Sequence, residues 1–292
     1  MQDRQTQEIK NTVVLFDGHN MLFRYFWGMP RTIISTRGDL IHGAYGFVAA
    51  VIQHLQKFMP ARAIVCFDSE GPPERVSREH TYKQNRQWEY GSTPQENPFT
   101  QLRFIEDAMS LLRVKIVASP GVEADDLIAT CTRLFRGTGT HIYIASTDQD
   151  LLQLVDEGVS IYLRRGKKEW LFSPSDVEAK YGVPASRLVA WRAMVGDASD
   201  NLPGVPGIGP TRATMLLQRY GSLPAIYENL SALTPQMAHA LQEHRQRVDR
   251  NIDLIALRNR APLERQLSLE TVAERPILNF NVRQIFRLLG LF

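Results

Sequence analysis

Short apolar runs, most of them ending at or near an acidic residue, recur along the first half of the chain. Each run is rich in β-branched or aromatic side chains, which is typical of buried parallel strands. The segments between them carry apolar residues at helical spacing. The runs are 12–17 (TVVLFD), 61–68 (ARAIVCFD), 114–119 (VKIVAS) and 141–150 (HIYIASTDQD), and the helical segments are 42–59, 99–112 and 124–135. This alternation predicts an α/β sheet with helices on both faces.

The hydrophobic pattern changes at two places. Residues 70–98 are rich in proline, glycine and charge, and they are too long for an ordinary connection, which indicates a functional excursion. After a hairpin pattern at 160–172, strand signals end and the rest of the chain predicts helices. We therefore predict a loose N-terminal tail at 1–11, an α/β domain at 12–172 that contains the excursion, and a helical domain at 173–292.

Acidic residues stand at or shortly after the carboxyl ends of all four predicted strands. Open α/β sheets bind ligands at that edge, so carboxylates from four distant segments would converge there. Such a concentration of negative charge is strongly unfavourable without cations, and ligands that are all oxygen atoms favour Mg²⁺ or Mn²⁺. Each acid taken alone is commonly a strand end or a helix cap. Together they predict a metal site made of Asp17, Asp68, Glu123, Asp125, Asp126, Asp148 and Asp150.

Two further acids, Asp197 and Asp200, precede a glycine-rich segment, GVPGIGPTRAT, at 204–214. No strand precedes this segment, and its glycine spacing differs from that of a dinucleotide-binding fingerprint. Glycines here would let backbone N–H groups approach a phosphate at a helix N-terminus. We predict a phosphate-binding hairpin with Gly207 and Gly209 in the turn and Arg212 on the following helix. The alternative is a plain packing corner between two helices.

The excursion contains a basic run with an aromatic residue inside it, REHTYKQNR at 78–86. Lys83 and Arg86 are suited to stabilising charge on a scissile phosphate, and Tyr82 to stacking on a base. A solvated helix face that includes Arg78 is the alternative interpretation. His19 has no recognisable Ser or Cys partner, and we predict a hydrogen-bonded structural role for it.

Composition sets the remaining limits. The 292-residue chain is 43% hydrophobic, which suffices for a substantial core, and its apolar runs are far too short to span a membrane. The two cysteines, Cys66 and Cys131, lie in apolar contexts, which excludes a disulfide framework and favours core thiols in a reducing cytoplasm. Residues 201–292 carry 11 Arg, no Lys and 7 acidic residues, a balance that suits a polyanionic partner.

These motifs together resemble the 5′-nuclease (flap endonuclease) family, in particular the 5′–3′ exonuclease domain of bacterial DNA polymerase I and its free-standing bacterial and phage relatives. The resemblance runs from Thr12 to the C-terminus, with the motifs in the family's order. It implies a PIN-like, mixed and largely parallel α/β sheet flanked by helices, a helical arch at about 70–98 and a helix–hairpin–helix region at about 196–220. The matching segments are LFDGHN, GAYGF, CFD, REHTYKQNR, GVEADD, STDQD and GDASDNLPGVPGIGPTRA.

The resemblance also implies roles for individual residues. Lys83 and Arg86 match the cations at the base of the arch, and Tyr82 matches the neighbouring aromatic residue. Gly207 and Gly209 match the hairpin that holds duplex DNA, with K⁺ on its carbonyl groups. The first metal site would use Asp17, Asp68, Glu123 and Asp125, and the second Asp148, Asp150 and Asp200, with Asp126 and Asp197 in supporting positions. All nine acidic positions are filled, which predicts an active enzyme.

The implied activity is that of a 5′–3′ exonuclease and structure-specific 5′-flap endonuclease that uses two Mg²⁺ or Mn²⁺ ions. Its substrate would be DNA with a 5′ flap or a 5′ end at a duplex junction, and RNA–DNA hybrids as well, in replication and repair. We expect a monomer without membrane contact, in a bacterial cytoplasm or, for a phage-encoded chain, the host cytoplasm. A non-catalytic junction-binding protein is the first alternative. A PIN-type ribonuclease, the second, would lack the glycine hairpin.

Two C-terminal peptides, RQLSLE at 265–270 and RLLGLF at 287–292, resemble the short peptides that dock on bacterial sliding clamps. The simpler interpretation is that both close the helical domain, and we favour it.

Overall fold

The computed structural model describes residues 11–68, 93–137, 139–165, 168–261 and 275–292. The chain forms two compact units. The first contains the described residues between 11 and 147 together with those from 259 onwards, and the second contains the described residues between 148 and 258. None of the helices that the structure describes combines the length and the hydrophobicity that a membrane span requires.

The first unit is built on four parallel strands, and each lies within one of the predicted apolar runs. β1 is central and is buried along all six of its residues, which explains its unbroken apolar sequence. The spatial order is β3-β2-β1-β4. The strands are β1 (Thr12–Asp17), β2 (Arg62–Cys66), β3 (Lys115–Val117) and β4 (His141–Ala145).

Four helices lie between these strands along the chain; three of them fall in the predicted helical segments, and α1, directly after β1, was not predicted. They are α1 (Gly18–Gly28), α2 (His42–Phe58), α3 (Leu102–Leu112) and α4 (Ala124–Phe135), with a 3₁₀ turn at Pro98–Gln101 leading into α3. The core forms where α2 and α3 bury their apolar faces, and Phe47, Leu55, Ile105 and Met109 are fully buried there. Each such side chain contributes about 1.5–3 kcal/mol of hydrophobic stabilisation.

A glutamine from another segment caps helix α2, which has no side-chain cap of its own at Ile41. Gln101 Oε1 accepts a hydrogen bond from Ala44 N at 2.9 Å, and Gln101 Nε2 lies 3.3 Å from His42 Nδ1. His42 Nε2 in turn lies 3.0 Å from the Phe26 carbonyl oxygen. Burial lowers the pKa of His42, so the neutral ring accepts from Gln101 and donates to Phe26. This buried network satisfies an N–H group that the helix start leaves unpaired.

The second unit is mainly helical, as the sequence predicts after residue 172. An antiparallel hairpin, β5 (Val159–Arg165) with β6 (Lys168–Phe172), begins it. A two-stranded ribbon that the sequence did not predict, β7 (Gly196–Asp197) with β8 (Leu202–Pro203), interrupts the helices. The helices are α5 (Pro174–Tyr181), α6 (Leu188–Val195), α7 (Pro210–Tyr220), α8 (Leu223–Glu228), α9 (Pro235–Glu243) and α10 (Arg245–Ile255).

The C-terminal segment returns to the first unit. Helix α11 (Val282–Leu288) buries Ile285 and Phe286 in the first unit's core, and Leu291 is 6% exposed beside them. The predicted domains, 12–172 and 173–292, divide the chain along its sequence, whereas the compact units are discontinuous. The clamp-like peptide at 287–292 is thus partly buried in its own chain, although Leu288 and Phe292 are exposed. The other such peptide, 265–270, lies outside the described residues.

The predicted fold class, a largely parallel α/β sheet with a helical C-terminal region, is confirmed in these two units. The arch predicted at about 70–98 falls mostly on residues 69–92, which lie outside the described residues. The same holds for Arg78, Tyr82, Lys83 and Arg86, and their roles stay predictions.

Candidate active site

Asp17 ends the central strand β1 and caps the following helix. Its Oδ1 accepts a hydrogen bond from Asn20 N at 3.2 Å, and its Oδ2 accepts one from Ser146 Oγ at 2.6 Å. Asn20 Oδ1 accepts from Thr147 N and Thr147 Oγ1, at 3.2 and 2.8 Å. These contacts join the carboxyl ends of β1 and β4, and they hold the buried Asp17 carboxylate, which is 4% exposed, in one orientation.

Asp68 joins the end of β2 to the start of helix α4. Its Oδ1 accepts a hydrogen bond from Ala124 N at 2.6 Å, at a helix start where backbone N–H groups favour negative charge.

His19 packs beside this strand end and accepts a hydrogen bond at Nδ1 from the backbone N–H of Asp68 at 2.9 Å. Burial lowers the pKa of His19, with the Asp68 charge acting in the opposite direction, and the ring packs among Phe23, Phe67 and Phe99. These contacts support the structural role predicted for His19.

The acids of GVEADD occupy the start of helix α4, as the sequence predicts. Glu123 is the N-cap residue, and Asp125 and Asp126 lie in the first turn. Glu123 and Asp126 are only 7% and 5% exposed. A hydrogen bond with Cys131, burial and the nearby charges of Asp17 and Asp125 together raise the pKa of Cys66 well above its usual range. The five acids of the first unit therefore gather at the carboxyl edge of its parallel strands.

Gly18 makes this convergence possible, because β1 turns into α1 directly against β2. A Cβ atom at residue 18 would lie 2.6 Å from Phe67 Cδ1 and 2.7 Å from the Cys66 carbonyl oxygen. The backbone oxygen cannot move without shifting β2, so only glycine fits here.

We expect Gly18→Ala to destabilise the protein by about 1–3 kcal/mol, the usual cost of overpacking a core. Urea denaturation would measure the change. The matched control is Gly28→Ala at the other end of α1, where an added Cβ meets nothing within 4 Å. Equal stability of the two variants would contradict the close approach of β1 and β2.

The acids of the second unit are linked by an arginine. Arg192, on helix α6, donates from Nη2 to Asp197 Oδ2 at 2.9 Å, and its Nη1 contacts Asp150 Oδ1. All three side chains are less than one fifth exposed. Asp148 Oδ1 accepts from Asp150 N at 2.9 Å, and Asp200 is 2% exposed. Three of these four aspartates are thus tied to one another by hydrogen bonds and ion pairs.

The loop that carries Asp148 and Asp150 is anchored through the residue between them. Gln149 Oε1 accepts hydrogen bonds from Lys180 Nζ at 3.1 Å and from Tyr181 OH at 2.8 Å. Both donors lie at the end of helix α5. Burial and the negative charge of Asp197 raise the pKa of Tyr181, so its hydroxyl keeps the proton that it donates. Gln149 therefore fixes the backbone of two predicted metal ligands.

Burial alone would raise the pKa of Asp197, but its hydrogen bonds and ion pair outweigh that effect. Its Oδ1 accepts from Ser199 Oγ at 2.6 Å and from Ser199 N at 2.8 Å, and the Arg192 charge lies on its other oxygen. Together they hold the pKa of Asp197 below its usual value, so the carboxylate is ionised at neutral pH. Asn201, in the left-handed region at φ 58°, makes the tight turn that follows.

The predicted glycine hairpin lies between the ribbon and helix α7. Val205 and Ile208 are buried and anchor it, whereas Gly207, Gly209 and Arg212 are exposed. Gly207 has φ +78°, a conformation that L side chains rarely adopt, and its carbonyl oxygen accepts from Arg212 Nη1 at 2.6 Å. Gly209 is the N-cap of α7. The hairpin thus presents backbone at a helix N-terminus, a geometry that binds phosphate.

Hydrogen-bond donors of the protein itself already contact several of the nine predicted metal ligands. Within the residues that the structure describes, no three His, Cys, Asp or Glu side chains stand close enough together to hold a metal ion. The assignment of individual ligands stays a prediction.

Sequence reasoning missed Arg192, although one of its partners, Asp197, follows it closely in the chain. Its partner Asp150 is distant in sequence, and the pairing exists only after folding. It also missed Ser146 and Asn20, the residues that orient Asp17. The Ser146 hydroxyl directly after β4 could have been predicted as a partner of Asp17, since the ends of adjacent parallel strands meet at one edge.

Comparison with known proteins agrees with this arrangement. Residues 12–182 match the family described as "5′-3′ exonuclease, N-terminal resolvase-like domain", and residues 183–276 match "5′-3′ exonuclease, C-terminal SAM fold". The thermostable DNA polymerase I of Thermus filiformis is 34% identical over 259 residues, 88% of this chain and 30% of that protein. DNA polymerase I of Mycobacterium bovis is 35% identical over 257 residues, 87% of this chain and 28% of that protein.

Two solved structures share the fold. A bacteriophage T5 flap endonuclease in complex with DNA and metal ions has a TM-score of 0.69 at 22% identity, covering 85% of this chain and 89% of that one. The catalytic core of Rad2 in complex with DNA substrate has a TM-score of 0.57 at 13% identity, covering 97% and 93%.

The chain therefore belongs to the 5′–3′ exonuclease family, which confirms the resemblance found in its motifs. It is a nuclease of that family, a hydrolase of phosphodiester bonds. It spans about 30% of the length of the DNA polymerase I relatives that it matches.

Proposed function

We propose that this nuclease is a divalent-metal-dependent 5′–3′ exonuclease and 5′-flap endonuclease that acts on DNA near duplex–single-strand junctions. The observation that carries the proposal is the gathering of five acids at one edge of the parallel strands. Asp17 is held there by hydrogen bonds from Asn20 N and Ser146 Oγ, and Asp68 by one from Ala124 N at the start of α4. Three of these acids are buried, where a nearby positive charge or hydrogen-bond donors favour the charged form of a carboxylate.

The donor set fits Mg²⁺ or Mn²⁺. All nine acids offer carboxylate oxygens, the ligands that these ions prefer. In the first unit, Asp17, Asp68, Glu123 and Asp125 would hold one ion with Asp126 in support. In the second unit, Asp148, Asp150 and Asp200 would hold another, with Asp197 in support. Bound ions of this kind supply an activated water and neutralise charge on the phosphate.

The chain's other residues would bind and orient the DNA. The hairpin with Gly207 and Gly209 would hold backbone phosphates of the duplex, independent of sequence. Arg212 would add positive charge beside it, and K⁺ on the hairpin carbonyls would do the same. The structural relatives that were solved with DNA support this substrate. Lys83, Arg86, Tyr82 and Arg78 would contact the 5′ strand.

RNA–DNA hybrids as substrates, a monomeric state and roles in DNA replication and repair all follow from the family resemblance. Cys66 and Cys131 are buried and form no disulfide, which supports a bacterial or host cytoplasm. A sliding clamp as partner is supported only by the exposed Leu288 and Phe292.

The test is cleavage of an end-labelled 5′-flap duplex in Mg²⁺, beside an EDTA control and an Asp148→Ala variant. We expect metal-dependent cutting near the base of the flap and loss of cutting in the variant. Products should carry a 5′-phosphate and a 3′-hydroxyl. Tight binding without cutting in Mg²⁺ or Mn²⁺ would instead favour a non-catalytic junction-binding protein.

A further inference from the structure

Arg192 stands out because it bonds two acids that the proposed function assigns to metal binding. Its Nη2 lies 2.9 Å from Asp197 Oδ2, and its Nη1 contacts Asp150 Oδ1. The guanidinium is 18% exposed, and the two carboxylates are 13% and 12% exposed. A planar guanidinium can bond two carboxylates at once and stays charged at every accessible pH.

We propose that Arg192 is the internal counter-ion of the second acidic group, holding Asp150 and Asp197 in place and competing with a divalent cation for them. This inference rests on the proposed function, because it concerns the same carboxylates. Arg192 is a positioning residue, since it acts through the two acids.

The competition follows from the oxygens that are already engaged. Asp197 Oδ1 accepts from Ser199, and Asp197 Oδ2 accepts from Arg192. Asp148 Oδ1 accepts from Asp150 N. A cation that takes Asp150 or Asp197 as a ligand must therefore displace the guanidinium or bind beside its positive charge. Either event weakens binding, so divalent cations bind this group less tightly than its acid count suggests.

Arg192 should also stabilise the protein in the absence of metal. It lies on helix α6, and Asp197 is the second residue of the ribbon that begins immediately after that helix. Without the guanidinium, two mostly buried carboxylates of like charge lose their shared partner. The metal-free protein should then be less stable, and an added divalent cation should restore more stability than it does in the wild type.

The experiment compares wild type, Arg192→Met and Arg192→Lys by Mn²⁺ binding, measured with electron paramagnetic resonance, and by melting in EDTA and in Mg²⁺. The matched control is Arg187→Met, which removes a partly buried guanidinium that donates to the Leu217 carbonyl oxygen at 3.1 Å. We expect Arg192→Met to bind Mn²⁺ about fivefold or more tightly, to melt earlier in EDTA and to gain more from Mg²⁺. Arg192→Lys cannot bond both acids as the guanidinium does, but it keeps the positive charge that competes with the cation, so its Mn²⁺ affinity should stay within about twofold of wild type.

The role of Arg192 and the proposed function fail on different outcomes. Unchanged or weaker Mn²⁺ binding in Arg192→Met, with a wild type that binds Mn²⁺ and cuts the flap, overturns the role of Arg192 alone. A wild type that neither binds Mn²⁺ nor cuts overturns both this inference and the proposed function. If Arg192→Met fails to fold, Arg192→Lys decides: a large change in its Mn²⁺ affinity contradicts competition by charge.

Discussion

We expect Asp68→Asn to lose at least about 100-fold in the rate of flap cleavage while keeping its fold. Residues that merely orient metal ligands already cost 10–100-fold when replaced, and a ligand should cost no less. Asparagine keeps the oxygen that accepts from Ala124 N and the backbone N–H that donates to His19. What it loses is the negative charge. A single-turnover assay with saturating enzyme and varied Mg²⁺ would measure the rate.

The matched control is Asp39→Asn, the same chemical change in the same unit. Asp39 accepts from Arg103 and Ser35 and is not one of the nine predicted ligands. We expect its cleavage rate to stay within about twofold of wild type, since surface ion pairs contribute little. An Asp68→Asn variant that cleaves nearly as fast as Asp39→Asn would remove Asp68 from the metal site.

We expect Phe286→Ala to destabilise the first unit by about 3–5 kcal/mol, the usual cost of removing a buried phenyl ring. Phe286 is fully buried on helix α11, with its ring 5.5 Å from that of Tyr45 on α2. The truncation leaves a cavity between the C-terminal helix and the core. A lower urea midpoint and earlier proteolysis of the C-terminal segment would report the loss.

Leu288→Ala is the control from the same helix, because Leu288 is 61% exposed. It should change stability by less than about 0.5 kcal/mol, as surface substitutions usually do. If the two variants were equally stable, helix α11 would not be part of the first unit's core, and the discontinuous division of the chain would be wrong.

The strands and helices of the first unit could be predicted closely from the sequence. The run at 12–17 became β1 with the same bounds, and the segment at 124–135 became α4 with the same bounds. Local patterns suffice there because burial requires apolar side chains at strand or helix spacing. The two-residue strands of the ribbon carry no such pattern, since two residues show no period.

The gathering of the first unit's five acids at one edge was also predicted from the sequence alone, because strand ends of parallel sheets share one edge. Their partners were not. Asp17 is held by Ser146, and Asp150 by Arg192, pairs that are far apart in the chain. A pattern along the sequence records which residues are polar, but it does not record which donor faces which acceptor.

Patterns along the chain were enough to predict the α/β alternation, the glycine hairpin and the family. This is so because strand and helix periods and clustered charge are local properties of the chain. Folding was needed to bring the C-terminal helix into the first unit's core, Gln101 to the start of α2 and Arg192 to Asp150. These are contacts between distant segments, and their choice depends on packing and burial in three dimensions.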